Sequence, residues 1–451
     1  MDVIAAIATG SAATAIGIVR VSGDGCFALC GRVFRAAGGR PFAAQEPRKM
    51  VFGEMLDRAG RVIDRGLAVR FPGPGSYTGE DCAEFHCHGS PVVLRELLSA
   101  LFAAGARQAQ AGEFTKRAFL NGRMDLTQAE AVVDLIDAET AAAARNAAAQ
   151  LDGGLRRVLE PVQEELLEVT SRFYAVVDYP DEDIQDVRPE EIAAALWSAA
   201  GRLERLLDTC RRGQVLKSGV RTAIVGRPNA GKSSLLNALA GYERAIVTDI
   251  PGTTRDTVEE KAVLGGVLLR LIDTAGLRET GDVVEQMGVR RSLDALERAE
   301  LALVVLDGSA PLDDNDRMVL DAAGQVEECI VLVNKSDLPQ QADLSNLTQA
   351  PLVISAKEGS GLDALETEIA QRFPSGTEQQ GELLTNARQA EAAQRAEQAL
   401  EAVRDGLKSG MSPDAVLSDV EFAMTALAEV TGRRITEDVT ARIFSRFCVG
   451  K

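Results

Sequence analysis

The sequence has few aromatic residues and no Cys-x-x-Cys pair. Phe, Trp and Tyr make up only 4% of the 451 residues, and several segments are rich in alanine. This composition favours helices packed through small side chains over a large β-sandwich. The seven cysteines are odd in number and never form a C-x-x-C pair. We therefore expect a reducing compartment, the cytoplasm, rather than a disulfide framework.

Histidine is nearly absent as well. The only two, His86 and His88, flank Cys87 in the segment Phe85–Gly89. Such a cluster suggests zinc, but a complete set of ligands at zinc-site spacing is missing. On a strand, alternation would place both histidines on one face and Cys87 on the other. We interpret the segment as a packed strand or the lining of a ligand pocket rather than as a metal site.

Long apolar runs and excess positive charge are also lacking. No stretch of about 18 uncharged apolar residues occurs, so we expect no membrane span. The segment Met1–Gly10 lacks the basic start and long apolar core of a secretory signal. The formal net charge is −18. An acidic surface repels phosphate backbones, so contact with nucleic acid would need a local basic patch or a partner protein.

The patterns along the chain predict an α/β plus all-α protein with four segments. Residues 1–120 are typical of a mixed α/β domain, with strands at Ile16–Val21 and Gly66–Phe71 and a helix at Pro91–Ala104. Residues 121–215 form the first part of a helical domain. Its predicted helices are Leu126–Gln150, Leu155–Val177 and Glu190–Arg212.

The third segment, residues 216–376, alternates strands with helices and predicts a doubly wound parallel sheet. Its predicted strands are Arg221–Val225, Leu268–Ile272, Leu301–Leu306, Ile330–Val333 and Leu352–Ile354. Residues 377–451 are helical again, with helices predicted at Asn386–Leu407, Pro413–Val430 and Thr436–Phe447. Because helices flank it on both sides, the α/β segment is predicted to be inserted into the helical domain.

A phosphate-binding motif opens the third segment. The sequence of Gly226–Ser233, GRPNAGKS, matches G-x-x-x-x-G-K-[ST] between an apolar strand and a helix. The backbone N–H groups of such a loop wrap phosphates at a helix N-terminus. Lys232 is expected to reach the β and γ phosphates, and Ser233 to hold Mg²⁺.

Three further motifs follow apolar strands in the order found in translation-factor-like GTPases. They are Asp273-Thr274-Ala275-Gly276, Asn334-Lys335-Ser336-Asp337 and Ser355-Ala356-Lys357. An aspartate at position 337 can accept the N1 and N2 hydrogens of guanine, whereas adenine offers no such pair. The predicted GTP-binding residues are Asn229, Ala230, Gly231, Lys232, Ser233, Ser234, Thr248, Thr253, Thr254, Asp273, Thr274, Ala275, Gly276, Asn334, Lys335, Asp337, Ser355, Ala356 and Lys357.

The residue that would orient the attacking water is missing. Leu277 stands where Ras-type enzymes carry a glutamine, so hydrolysis is either slow or supported by another group. Oxygens of Asn229 and of Thr248–Asp256 could hold a monovalent cation that neutralises charge between the β and γ phosphates. Arg255 could act as an arginine finger instead, although we interpret it as a salt-bridge residue.

Beyond these motifs, the chain resembles the MnmE (TrmE) family of tRNA-modification GTPases over nearly its whole length. The flanking motifs and the Cys-x-Gly-Lys tail make this resemblance specific, because GTPase motifs alone would fit many families. The matching stretches are Phe71–Asp81, Gly112–Gly122, Gly226–Leu239, Gly252–Asp256, Asp273–Arg278 and Phe447–Lys451.

The resemblance implies a homodimer held by N-terminal domains and an FAD-dependent partner, MnmG. Together they would install a carboxymethylaminomethyl group on C5 of the wobble uridine of certain tRNAs, which the complex rather than this chain alone would contact. The one-carbon unit would come from a tetrahydrofolate derivative, 5-formyl- or 5,10-methylene-tetrahydrofolate, bound by the N-terminal domain.

The resemblance also implies roles for particular residues. Arg20, Glu84, Arg123 and Lys451 would bind the folate, although Arg123 replaces the family's lysine with a different geometry. K⁺ would be held by Asn229, Thr248, Ile250 and Thr253, and Mg²⁺ by Ser233 and Thr254. Glu285 would act as a general base, and Lys232 would be the other catalytic residue. The thiol of Cys448 could act as a nucleophile.

Simpler interpretations of these residues remain open. Arg20 and Glu84 could form an ordinary salt bridge, Glu285 could cap a helix and Cys448 could be a packed thiol. A second function is a GTP-dependent binding switch such as a ribosome-assembly factor, which folate binding would distinguish. A structural protein with an inactive nucleotide site conflicts with intact Lys232, Ser233 and Asp273.

Overall fold

The computed structural model describes residues 2–10, 12–178, 189–242, 260–272, 293–345, 347–373, 381–433, 440, 443–445 and 447–450. Contacts between residues divide the chain into two compact units. The first is Met1–Val133 with Thr425–Lys451, and the second is Asp134–Met424. The second unit contains the P-loop segment together with helices that precede and follow it in sequence. The finer division into four segments remains a prediction.

The first unit contains a seven-stranded sheet in the order β3-β4-β5-β6-β2-β1-β7. Its strands are β1 (Ile4–Ile7), β2 (Ile16–Ser22), β3 (Phe34–Ala36), β4 (Val51–Leu56), β5 (Val62–Phe71), β6 (Cys82–His88) and β7 (Arg107–Gln108). Its helices are α1 (Cys26–Val33), α2 (Pro91–Ala103) and α3 (Glu113–Leu120). The predicted strands at Ile16 and Gly66 and the predicted helix at Pro91 are confirmed.

The two faces of this sheet differ because successive side chains of a strand point to opposite sides. Val19, Val21 and Phe85 share one apolar core with residues of α1 and α2. Cys87 belongs to the same core, whereas His88 is exposed, as the predicted alternation requires. Arg20 lies between Val19 and Val21 in sequence, so its side chain belongs to the opposite face.

Helices dominate the second unit before its sheet begins. They are α4 (Leu126–Ile136), which crosses the boundary between the units, α5 (Ala141–Leu151), α6 (Gly154–Asp178), α7 (Pro189–Leu207) and α8 (Cys210–Ser218). Two of the three predicted helices were therefore wrong in extent. Leu126–Gln150 is split because Thr140 caps a new helix by accepting a hydrogen bond from the N–H of Ala143. Glu190–Arg212 is interrupted after Leu207.

The sheet of the second unit has the order β13-β12-β11-β8-β10-β9. Its elements are β8 (Val220–Val225), α9 (Lys232–Tyr242), β9 (Glu260–Leu264), β10 (Val267–Leu271), β11 (Leu301–Asp307), α10 (Asp314–Ala323), β12 (Glu328–Asn334), β13 (Leu352–Val353) and α11 (Leu362–Arg372). All the predicted strands are present. The pairings among the predicted strands are parallel, as expected, but the sheet has one further strand that was not predicted, β9, which pairs antiparallel with β10.

The central strand β11 shows why the segment reads as doubly wound. All of its residues are buried. Leu303 faces a core shared with α9 and α11, whereas Val304 faces a second core shared with α10. A strand covered by helices on both faces needs a continuous apolar run.

Two helices follow this sheet, α12 (Ala387–Lys408) and α13 (Pro413–Thr431). Asn386 caps α12 by accepting a hydrogen bond from the N–H of Arg388. Both predicted helices are confirmed, while most of the predicted helix Thr436–Phe447 lies outside the described residues. Within the described part of the chain, no helix is long and apolar enough to cross a membrane.

Candidate functional site

The phosphate-binding loop connects β8 to α9, as predicted. Gly226 and Gly231 have φ values of 149° and 101°. A Cβ on Gly226 would collide with the carbonyl oxygen of Val305, and one on Gly231 would collide with the side-chain nitrogen of Asn334. Glycine is therefore required at both ends of the loop by close approach as well as by backbone conformation.

Lys232 folds back over this loop. Its Nζ donates hydrogen bonds to the carbonyl oxygens of Gly226 and Arg227, each at 2.8 Å. Burial lowers the pKa of the Lys232 ammonium, because a low-dielectric environment disfavours the charged form. The loop thus holds a partly desolvated cation, which is the charge that a phosphate group requires.

Asn334 connects this loop to the predicted base-recognition motifs. Its side chain is buried, its Nδ2 donates to the carbonyl oxygen of Ala230 at 2.8 Å, and its Oδ1 accepts from the N–H of Ala356 at 2.9 Å. One amide therefore joins three motifs that are distant in sequence. This arrangement follows from the sheet, since β8 and β12 both end at the same edge.

Asp337 lies beyond Asn334 at an exposed position. Its Oδ1 accepts a hydrogen bond from the Oγ of Ser355 at 2.7 Å. That hydrogen bond is the largest factor lowering the pKa of Asp337, so the carboxylate is ionised at neutral pH. An ionised and oriented carboxylate can accept two hydrogen bonds from the edge of guanine.

Four more residues of the predicted nucleotide site lie in the phosphate loop or in the first turn of α9. Ser233 and Ser234 lie in the first turn of α9, and Ala230 is buried in the loop. Asn229 is exposed and has a left-handed φ of 63°. Ten predicted site residues lie outside the described residues: Thr248, Ile250, Thr253, Thr254, Asp273, Thr274, Ala275, Gly276, Glu285 and Lys451.

In the first unit, the structure brings together Arg20 and Glu84. They are cross-strand neighbours of β2 and β6, and the Nε of Arg20 lies 2.9 Å from Oε1 of Glu84. The guanidinium lies 5.3 Å from the ring centroid of Tyr77 and 5.8 Å from that of Phe114. His86 completes the row, with its Nε2 at 3.4 Å from Oε2 of Glu84. The result is a half-buried group of opposite charges beside two aromatic rings.

Arg123 and Cys448 were also predicted to be functional. Arg123 is exposed, and its side-chain stem lies beside Gly79 in the loop between β5 and β6. The Cys448 thiol is exposed. The segment around Cys448 is anchored, because the N–H of Gly112 donates to the carbonyl oxygen of Cys448 at 3.3 Å. Gly450 lies so close to the backbone of Ile7 that a Cβ would collide with it.

Sequence reasoning missed one group beside the nucleotide site. Asp307 ends β11 and lies 2.7 Å from the ammonium of Lys335 and 3.6 Å from the guanidinium of Arg227. The available signal was an acidic residue directly after the apolar run Leu301–Leu306, since the carboxyl ends of parallel strands converge on one edge.

The sheet order, the lysine-bearing phosphate loop and the asparagine whose side chain ties that loop to Ala356 define a class of protein: the P-loop GTPases. The model of the MnmE helical domain matches residues 126–448, and that of the GTP-binding protein TrmE N-terminus matches residues 3–123. The chain belongs to the MnmE family.

Curated relatives agree over the full length. A tRNA modification GTPase MnmE from Symbiobacterium thermophilum is 46% identical over 455 residues, covering 100% of this chain and 99% of the relative. One from Heliobacterium modesticaldum is 44% identical over 466 residues, with the same coverage. A crystal structure of Aquifex aeolicus Era bound to GDP·AlF4⁻ is 28% identical and covers 40% of this chain and 66% of its own, with a TM-score of only 0.27.

Proposed function

We propose that this protein hydrolyses GTP in the modification of tRNA, adding a carboxymethylaminomethyl group to C5 of the wobble uridine together with the FAD-dependent partner MnmG. The observation that carries the proposal is 46% identity over the full length to a tRNA modification GTPase MnmE. That identity spans both units, so it includes the N-terminal sheet as well as the nucleotide site.

The nucleotide-site residues that the structure describes suit a guanine nucleotide. The loop Gly226–Ser233 and Lys232 would hold the phosphates, and Asp337 would accept the N1 and N2 hydrogens of the base. Ser233 and Thr254 would hold Mg²⁺, which supplies charge neutralisation at the β and γ phosphates when bound. Asp337→Asn should weaken GTP binding and favour xanthosine nucleotides, and unchanged GTP affinity would refute the base assignment.

Hydrolysis is proposed to depend on K⁺ held by Asn229, Thr248, Ile250 and Thr253. Asn229 is exposed in a left-handed conformation at the loop, and its neutral amide oxygen suits a weakly hydrated monovalent ion. Glu285 would act as a general base on the attacking water. The predicted rate is higher in K⁺ than in Na⁺ at equal ionic strength and saturating GTP.

A matched pair of variants isolates the cation contribution. Asn229→Ala should remove most of the K⁺ stimulation, whereas Asn237→Ala, at an exposed position of α9, should retain it. Glu285→Ala should slow hydrolysis while leaving the K⁺ dependence. Equal rates in K⁺ and Na⁺ for the unmodified protein would contradict this mechanism.

A tetrahydrofolate derivative is proposed to bind at the first unit through Arg20, Glu84, Arg123 and Lys451. The support is the half-buried Arg20–Glu84 pair beside the ring of Tyr77. A carboxylate can accept from the N–H donors of a pterin edge, and a cation beside it suits a charged tail.

Thermal protection by 5-formyl-tetrahydrofolate tests this site, since a ligand of the folded state stabilises it by mass action. Glu84→Gln should reduce the protection, while Glu46→Gln, an exposed partner of Lys49, should not. No saturable binding to the unmodified protein would refute the folate site and favour a GTP-dependent binding switch.

The assembly is proposed to be a cytoplasmic homodimer held by the N-terminal unit. A net charge of −18 disfavours direct binding of a phosphate backbone, so tRNA would be bound mainly through the complex with MnmG. Light scattering of the nucleotide-free protein tests the dimer. A mass near 48.0 kDa at micromolar concentration would contradict it.

A further inference from the structure

Asp307 occupies a central position in the sheet of the second unit. It is the last residue of β11, the strand between β8, which leads to the phosphate loop, and β12, which leads to the base motif. In the register of β11 and β12 it is paired with Asn334. The backbone of the following residue reinforces this pairing, because the N–H of Gly308 donates to the carbonyl oxygen of Asn334 at 2.9 Å.

The two carboxylate oxygens of Asp307 make different contacts. Oδ1 accepts hydrogen bonds from the N–H and the hydroxyl of Ser309, at 3.0 and 2.6 Å. Oδ2 accepts from Nζ of Lys335 at 2.7 Å. One oxygen therefore fixes the carboxylate to its own turn, and the other binds a lysine of the base motif.

Lys335 has a conformation that needs such a partner. Its φ is 68°, a left-handed value that is uncommon for a residue with a Cβ and persists only where surrounding contacts hold it. Lys335 stands between Asn334, which binds the phosphate loop, and the segment leading to Asp337. The backbone geometry at Lys335 thus sets the direction in which Asp337 leaves the strand.

Arg227 is the second cation near Asp307, but it is not dependent on it. Its guanidinium is 3.6 Å from Asp307 and 3.4 Å from both Asp313 and Asp316. It also donates to the carbonyl oxygen of Pro311 at 3.2 Å. Loss of the Asp307 charge would leave Arg227 with three partners and Lys335 without its carboxylate.

We propose that Asp307 is a positioning residue for guanine-nucleotide recognition, which acts by holding Lys335 and thereby the base-binding segment that ends at Asp337. The inference rests on the proposed assignment of Asp337 as the acceptor for guanine. Burial alone would raise the pKa of Asp307, but the hydrogen bonds from Lys335 and Ser309 outweigh it and lower the pKa. The group is thus a carboxylate at neutral pH.

Asp307→Asn is the discriminating substitution, because the amide keeps the shape and can still accept from Ser309. The control is Asp314→Asn, which removes the same charge from a fully exposed position in the first turn of α10. Affinity is measured by titration of the full-length protein with a ribose-labelled fluorescent GDP. We expect Asp307→Asn to weaken GDP binding about tenfold relative to the control, the size typical of a lost hydrogen bond between charged groups.

Three further readouts separate positioning from a general structural defect. The KM for GTP should rise by the same factor while kcat changes less than about twofold, because the lost contact acts on uniform binding. In a Lys335→Met background, Asp307→Asn should change the GDP affinity less than about twofold, since coupled residues are non-additive. Lys335→Arg should retain more affinity than Lys335→Met, and this comparison stands even if Asp307→Asn fails to fold.

Different failures have different meanings. An equal loss of affinity in the wild-type and Lys335→Met backgrounds, or a fall in kcat at unchanged KM, would overturn the inference and assign Asp307 to the phosphate loop through Arg227. Equal GDP affinity for Asp307→Asn and Asp314→Asn would overturn it as well. If the unmodified protein bound no GDP, the proposed base site would fall first, and the inference with it.

Discussion

Replacement of Asn334 by alanine is predicted to separate the phosphate loop from the base motifs. The substitution removes both hydrogen bonds of the side chain and leaves the carbonyl oxygen of Ala230 and the N–H of Ala356 without their partner. Both residues are buried: Ala230 has no exposed surface, and the exposed fraction of Ala356 is 6%. Each abandoned buried group costs about 1–3 kcal/mol. The two losses together destabilise the conformation that can bind nucleotide by roughly 2–6 kcal/mol.

This cost should appear as lost affinity, because the binding-competent arrangement becomes a minor population. At about 1.4 kcal/mol per factor of ten, even the lower bound predicts a Kd for GDP weakened roughly 30-fold. Equilibrium titration of a fluorescent GDP measures it, with the exposed Asn237→Ala as control. An Asn334→Ala affinity within about threefold of the control would refute the reasoning that one amide joins the two loops.

Three further predictions concern the first unit. Arg117→Ala removes a guanidinium that lies 3.0 Å from the carboxylate of Glu80 and 3.1 Å from that of Glu113. Calorimetry should show that the free energy of unfolding falls by about 3–5 kcal/mol. An unchanged unfolding transition would contradict this. Burial would raise the pKa of Glu113, but its hydrogen bonds lower it below the usual 4.5, so its stabilisation should be present above that pH and vanish as the pH falls below it. Glu113→Gln should therefore differ from the unmodified protein at neutral pH and match it in acid. Burial raises the pKa of Cys87 to about 11, so iodoacetamide at about pH 8 should label the exposed Cys448 first, and peptide mapping with the reverse order would count against the structure.

The nucleotide site was predictable largely because its motifs follow apolar strands. A buried parallel strand has a recognisable apolar run, and the carboxyl ends of such strands meet at one edge. The sequence therefore predicts Lys232, Asn334 and Asp337 as nucleotide-binding residues from motifs that follow apolar strands. It could not reveal that the Asn334 side chain joins Ala230 to Ala356. Hydrophobic periodicity indicates helices and strands, but it does not indicate which loops are in contact.

The errors have equally local causes. The antiparallel strand β9 was missed although Gly265 and Gly266, both with positive φ, form a two-residue turn between β9 and β10; a Gly-Gly pair between apolar runs is a hairpin signal. The helix predicted from Leu126 was too long because alanine-rich periodicity continued past Thr140, whose capping role is visible only in the hydrogen bond it accepts.

The ion pair of Arg20 and Glu84 is a contact that the strand register explains but whose function neither the sequence nor the fold determines. The sequence suggested these residues only through a family resemblance, and the strand register explains why they meet, since they are direct neighbours across β2 and β6. Both an ordinary salt bridge and a ligand site are compatible with that contact, so the folate experiment decides between them.

Mass spectrometry of the wobble uridine tests the central claim most directly. tRNA would be analysed from cells that lack this gene and from the same cells carrying either the unmodified gene or Lys232→Ala. The account predicts that C5 carboxymethylaminomethyl-uridine disappears on deletion, returns with the unmodified gene and fails to return with Lys232→Ala, since the loop lysine holds the phosphates of GTP. Unchanged wobble-uridine modification in the deletion cells would contradict it.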